Sequence, residues 1–308
     1  MRPHLPKIAI ISAIFSFILF GFGTPITKSV VEVVPPSTFI FIRFAVALLL
    51  ITPIYYFRGE LKSIERKFLP KLLIIAFLGP AASNLLTYSG LQKTEGSAAA
   101  VIFALFPIVT IFLSFLLLKE KVKKITLLGS LVALFGTAII FIGPQDFTAD
   151  EFLGLILIFL SNITIALYTI GIRRYIIQYN YQTLLVFSFF MACIASLPFA
   201  LFDLGNGSTW VQNLNTKITL FMLYDALISG VFAYILYESS LRYLTSSFES
   251  SFGYIQPILA IIGSIIILNE RPDAIFYLGS VFILFGVTIA DFPIPKHIHV
   301  LRKFHLRH

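Results

Sequence analysis

The chain has 308 residues, 58% of them hydrophobic and 12% charged, with a formal net charge of +8 and a mean hydropathy of +0.92. An ordinary soluble domain is about 25% charged, and a chain this apolar has too few polar groups to cover its own surface, so a water-soluble globule is excluded and lipid is the expected solvent. The positive charges sit in loops between apolar runs, where they orient membrane helices, so nucleic acid is not an expected partner; the single cysteine, Cys193, lies inside an apolar run and excludes a disulfide framework or a cysteine metal cluster.

The N-terminus carries Arg2 and Lys7 and turns apolar at Ile8. No small-x-small cleavage site closes that run, and a second apolar segment follows soon, so it reads as a retained first transmembrane helix rather than a signal peptide. A helix needs about 20 residues to cross roughly 30 Å of hydrocarbon. Ten runs are predicted to span: Ile8–Val31, Thr38–Phe57, Leu72–Leu91, Ser97–Leu118, Ile125–Ile142, Phe152–Arg173, Thr183–Asp203, Ile218–Leu241, Ser247–Leu268 and Ile275–Asp291. They lack alternating polar positions, so helices are preferred to a barrel. Pro35-Pro36, Gly143-Pro144 and Asn206-Gly207 mark turns, and Leu204–Lys217, with the lone Trp210, reads as an interfacial loop.

Lysine and arginine set the orientation. With the N-terminus inside, the inner segments hold 18 of the 23 basic residues; Lys28, Lys93, Lys217 and Arg271 fall outside, and Arg43 lies within a span. Both termini are therefore expected in the cytoplasm of a multi-pass cell-membrane protein.

The stretch 91–140 returns as 241–290 at a constant offset of 150 residues, with 16 of the 50 positions identical. Shared apolar composition would match some Leu and Ile. It would not align Pro107 with Pro257, Glu120 with Glu270, Gly129 with Gly279 and Gly136 with Gly286. The chain is read as a duplication: residues 1–143 form one five-helix repeat, 144–295 a second, and 296–308 a basic tail. Five is odd, so the second copy enters the membrane inverted. The expected fold class is an all-α integral membrane protein of ten transmembrane helices in two inverted repeats, a design that recurs in secondary transporters with midplane sites.

The proline-bearing helix followed by Lys119-Glu120-Lys121, Gly129 and Leu134-Phe135-Gly136, and its echo in Asn269-Glu270-Arg271, Gly279 and Leu284-Phe285-Gly286, resembles the EamA-type transporters of the drug/metabolite transporter superfamily. Arg43-Phe44 with Ala47, and Ala233-Tyr234, are similar to that family as well. The resemblance covers nearly the whole chain. It implies a ten-helix exporter or importer of small polar metabolites, often amino acids, around a central cavity. Glu238 and Glu249 depart from the pattern, which implies small or apolar residues there.

Ionisable groups in hydrocarbon are costly and therefore face a cavity or a partner. Arg43 lies about 8 Å, and Asp225 about 10 Å, below the same membrane face at 1.5 Å per residue, so the two are expected to pair or to bind substrate. Tyr234, Asn84, Tyr88, Tyr168 and Gln256 are further cavity candidates, supplying rings and neutral hydrogen-bonding groups. Glu238, four residues before Arg242, reads either as half of a surface i,i+4 pair or as a coupling group. Glu249 has no local partner and reads as a gate, a proton site or a carboxylate facing water. Lys28 is near a helix end, from which it can reach the interface. Glu120 and Glu270 sit at helix C-termini, where the dipole disfavours a carboxylate, so a cation or free amides must hold them; with Pro107 and Pro257 they read as structural.

An enzyme lacks its residues. All five histidines (His4, His297, His299, His305, His308) lie outside the spans, and no phosphate-binding glycine loop precedes a lysine. No cofactor or metal is implied. The expected partners are a small-molecule substrate and the bilayer, with oligomeric state left open. A secondary transporter, which the resemblance implies would export amino-acid-like solutes, stands beside a passive channel or a lipid or amphiphile flippase on the same fold.

Overall fold

A computed structural model of the chain describes residues 5–118, 124–142, 148–205 and 209–291. Within these residues the secondary structure is helical throughout. The chain runs through α1 (Leu5–Val31), α2 (Pro36–Phe57), α3 (Leu69–Ala76), α4 (Asn84–Lys93), α5 (Gly96–Phe103), α6 (Phe106–Leu118) and α7 (Lys124–Ile142). It continues through α8 (Ala149–Tyr179), α9 (Tyr181–Gly205), α10 (Thr216–Tyr224), α11 (Ala233–Leu241), α12 (Ser246–Ser250), α13 (Ile255–Ile267) and α14 (Ala274–Asp291). Eight helical stretches among the described residues are long and apolar enough to cross a membrane; α7 and α14 contain shorter apolar stretches, Leu128–Ile139 and Ala274–Gly286. Large side chains such as Leu49, Phe57, Phe202 and Ile266 stand exposed on the outside of the bundle. In water such a belt would drive aggregation, whereas hydrocarbon solvates it.

Several predicted spans are not continuous α-helix. Between α3 and α4 the backbone widens into a π-helical segment, Phe77–Ser83. Pro80 offers no N–H there, and Gly79 leaves helical geometry at φ −72°, ψ −122°. A second π segment, Asp225–Phe232, joins α10 to α11. The fourth span breaks at Ala104 and Leu105, just before Pro107; the ninth passes through a 3-10 turn, Ser251–Tyr254, just before Pro257. In each case the proline ring withholds a backbone donor from the preceding turn and crowds its carbonyl.

The 150-residue offset is visible in the packing. The π segments correspond within two residues, as do the two proline breaks. Helix α7 lies against α14, and α2 lies against α9. A Cβ on Gly136 would stand 2.6 Å from the Gly279 carbonyl oxygen, and a Cβ on Gly286 would stand 2.6 Å from that of Gly129. Only glycine lets these backbones approach so closely.

Polar contacts tie the loops together at the two ends of the bundle. At one end Lys93 pairs with Asp150 at 2.9 Å. There Glu270 also accepts the Gly96 and Ser97 amides, at 2.7 and 2.8 Å, which cap the start of α5. The donors that the helix C-terminus of Glu270 cannot supply thus come from 174 residues earlier. At the other end Asn180, in the left-handed region at φ 60°, turns the chain from α8 into α9 and donates to the Glu60 carbonyl at 2.7 Å. Asparagine adopts this conformation more readily than most residues. The predicted interfacial loop is shorter than expected. Helix α9 runs to Gly205, a 3-10 turn covers Trp210–Asn213, and Asn215 caps α10 by accepting the Ile218 amide at 2.9 Å. The predicted turns at Gly143-Pro144 and Asn206-Gly207, the residue Glu120 and the basic tail lie outside the described residues.

Candidate functional site

Both π segments border a cavity of about 130 Å³. One water needs roughly 15 Å³ of such space, so the cavity takes several waters or a small solute. Its walls come from α1, α2, α4 and α11, with contributions from α5, α6, α8 and α13. Asp225 enters it from the first residue of the second π segment, and Asn84 from the first residue after the other.

Arg43 and Asp225, on α2 and at the α10 end, form a buried ion pair at 3.2 Å. Each is nearly inaccessible, at 3% and 1% exposure. Tyr88 donates to Asp225 Oδ2 at 2.7 Å and Thr27 donates to Oδ1 at 3.0 Å, so both carboxylate oxygens are engaged. The Arg43 Nη1 also reaches Asn84 Oδ1 at 3.4 Å. Asn84 in turn donates to the Pro80 carbonyl at 2.8 Å and to the Tyr234 hydroxyl at 3.2 Å. Asn84 and Tyr234 are repeat mates, 150 residues apart. The guanidinium carbon lies 5.4, 5.6 and 6.0 Å from the ring centres of Phe44, Tyr88 and Tyr234, a setting in which aromatic faces favour a cation. Arg43 Nε has no hydrogen-bond partner. The site thus pairs one cation with one carboxylate, and leaves the Arg43 Nε donor without an acceptor where it packs against Gly230.

Of the residues singled out from sequence, Arg43, Asp225, Tyr234, Asn84, Tyr88 and Gln256 line this cavity. Tyr168 does not. Its ring packs where a Cβ on Gly79 would go, and its hydroxyl donates to Glu238 and approaches Ser188. Glu238 is fully buried and forms no ion pair with Arg242, which is exposed and lies over the Tyr243 ring. The reason is rotational: Glu238 is on the inward stripe of α11, and Arg242 follows its end. Glu249 faces no water; it too is fully buried. Lys28 pairs with Glu32 at 2.9 Å on the last turn of α1. Pro107 and Pro257 are buried at the helix breaks, away from the lining. Among the described residues no group of three or more His, Cys, Asp or Glu side chains is placed to hold a metal ion.

Sequence reasoning missed Thr27, Phe17, Phe20 and Phe106 as cavity walls, whereas Tyr237, a tyrosine within a span, was open to the same reading as Tyr234. A threonine or phenylalanine in an apolar helix carries no local signal of what it faces. The nearest thing to one is helical spacing: Phe17, Phe20, Thr24 and Thr27 recur every three or four residues along one stripe of α1.

Comparison with known proteins places this architecture in a family. A transporter of Bacillus subtilis, YetK, is 26% identical over 286 residues, covering 91% of this chain and 86% of that one. A second from the same organism, YdfC, is 28% identical over 236 residues, 75% of this chain and 74% of its own. A transporter of Archaeoglobus fulgidus is 23% identical over 257 residues, covering 82% and 87%. All three are described as uncharacterized. One protein of known crystal structure shares the fold, with a TM-score of 0.69 over 96% of this chain and 98% of that chain at 16% identity. The model of the EamA-like transporter family matches residues 7–142 and again 152–290, one match in each half, and the chain belongs to the EamA-like transporter family.

Proposed function

We propose that the protein is a secondary transporter of small polar metabolites, amino acids or closely related compounds, working in the direction of export. It moves them by alternating access between two inverted five-helix repeats, 1–143 and 144–295. Both termini lie in the cytoplasm and the chain spans the cell membrane. The observation that carries this reading is the Arg43–Asp225 pair in a buried cavity. A zwitterionic solute can exchange partners with such a pair, its carboxylate meeting the Arg43 guanidinium and its ammonium meeting Asp225, so that no charge is left unpaired during transfer. The paired π segments and the mirrored glycine contacts support the two-repeat mechanism, because matched halves can exchange roles in opening to either side.

The test is counterflow in liposomes containing purified protein and loaded with unlabelled amino acids. External labelled amino acid should enter saturably and transiently exceed its equilibrium level, and Arg43→Ala in folded protein should abolish this. Flux that rises linearly with concentration and shows no counterflow overturns the carrier reading in favour of a channel.

A further inference from the structure

We infer that Glu238 and Glu249, buried outside the cavity lining, are each a proton site, and that solute passage is coupled to proton movement through them. The inference rests on the carrier reading above. Both side chains are completely inaccessible, yet neither lines the cavity. Both oxygens of Glu249 lack a hydrogen-bond partner, as does Glu238 Oε2. Among the described residues the one hydrogen-bond donor to either side chain is the Tyr168 hydroxyl, on Glu238 Oε1. A buried carboxylate is ordinarily met by a cation or by several donors, and these two have neither.

Among the described residues no cation hydrogen-bonds the unpartnered oxygens of either carboxylate. From α8 come Tyr168 and Arg173, whose Nε donates to the Leu244 carbonyl at 2.9 Å. Tyr234 and Tyr237 share α11 with Glu238. Helix α6, packed on α12, has no titratable residue. Helix α1 carries only Lys7 and Lys28, close to its ends. Hydroxyls are therefore the main polar neighbours. A metal ion such as calcium requires six to eight oxygens and magnesium six, which this set does not supply, whereas a proton needs one oxygen.

Tyr237 connects Glu238 to the cavity. It lines the cavity wall, its hydroxyl is bonded to Thr169, and it immediately precedes Glu238 in the chain. In the closed arrangement the carboxyls are accommodated as acids. When one end of the bundle opens, water reaches an oxygen, the O–H bond breaks and the proton passes to that water. Closing again requires a proton from water on one side or the other to re-form the bond. One proton is taken up and one released per cycle, with no other bond altered.

The experiment uses wild type, Glu249→Gln and Glu238→Gln in liposomes with an equimolar mixture of labelled amino acids. Each is assayed for counterflow at equal pH and for accumulation driven by a one-unit pH gradient at clamped potential. Wild type should accumulate label up to about tenfold for one proton per solute, the equilibrium ratio for a one-unit gradient. The variants should keep counterflow and lose the accumulation. Wild-type counterflow that ignores the pH gradient, or answers a sodium gradient instead, overturns the proton site and leaves the carrier reading standing. Absence of counterflow for every amino acid defeats the substrate reading alone. Infrared spectra at neutral pH then decide the proton site, including where a variant does not fold: a protonated-carboxyl band in wild type that is reduced in Glu249→Gln supports it, and no such band in wild type overturns it.

Discussion

Removing Asp225 exposes how the cavity is held together. In Asp225→Ala the Arg43 guanidinium, its side chain 4% exposed, keeps one acceptor, Asn84 Oδ1 at 3.4 Å. Breaking a buried pair in this way costs about 3–5 kcal/mol. The Tyr88 and Thr27 hydroxyls also lose their acceptor, at about 1 kcal/mol each where cavity water does not replace it. The expected loss is about 5–7 kcal/mol, or about 3–5 kcal/mol where cavity water takes over both hydroxyls, a large part of the roughly 5–15 kcal/mol that holds a typical domain together. Arg43→Ala should cost less, near about 3 kcal/mol, because Tyr88 and Thr27 still donate to the remaining carboxylate. The double alanine variant strands no charge and should fall short of the sum of the singles by about 2–3 kcal/mol. Exchanging the two residues should recover part of the stability without restoring transport, since the guanidinium then starts from the wrong wall. Unfolding by increasing detergent denaturant, followed by far-ultraviolet circular dichroism, measures all four. Additivity of the single variants within about 0.5 kcal/mol would refute the coupling, and so would wild-type stability in Asp225→Ala.

Gly136→Leu and Gly286→Leu should each lower the yield of monodisperse protein and its thermal midpoint, because each added side chain starts 2.6 Å from a facing carbonyl oxygen; size-exclusion chromatography and thermal unfolding read this directly, and normal behaviour of both removes the tight contact. Burial, with help from Glu270 and Glu151, raises the Glu95 carboxyl above its ordinary pKa. The folded state then binds that proton more tightly than the unfolded chain, so stability declines as pH rises from the ordinary carboxylate range through the raised value. Glu95→Gln should flatten that segment of the thermal midpoint against pH, with a small gain at neutral pH; an unchanged profile refutes it. In a Cys193→Ser background, Thr209→Cys should react with an impermeant thiol reagent in intact cells, and reaction only after lysis would reverse the assigned orientation.

The long-range features of the fold were legible where chemistry repeats or is costly. Apolar run length revealed the spans because hydrocarbon thickness sets a minimum. The offset aligned Gly129 with Gly279 and Gly136 with Gly286, the glycines that the structure then places at the α7–α14 contact, where backbone approach tolerates no side chain. Arg43 and Asp225 could be matched by depth because unpaired charge is expensive in lipid. The π segments were hidden: Pro80 marks one, but Asp225–Phe232 contains no proline and depends on close tertiary packing at Gly230, where a Cβ would meet the Asp225 carbonyl at 2.8 Å and Arg43 Nε at 2.9 Å. The inward rotation of Glu238 was likewise hidden, since i,i+4 spacing to Arg242 suits a surface pair equally well. The partners of Glu270 could not be read locally, because the amides it accepts begin another span in the other half of the chain.

The glycine contacts between α7 and α14 have the form of an isologous interface: a position in one copy touches a second position in the other, and the reciprocal pair touches as well. Between separate subunits such a joint would loosen as the protein became dilute in its membrane. Carried on one chain, the two faces remain at a fixed, high effective concentration whatever the expression level. Either glycine can also now mutate alone, whereas in a homodimer every substitution would strike the joint twice. The fused chain is thus free to make one side of the joint weaker than the other while keeping its stoichiometry at one to one.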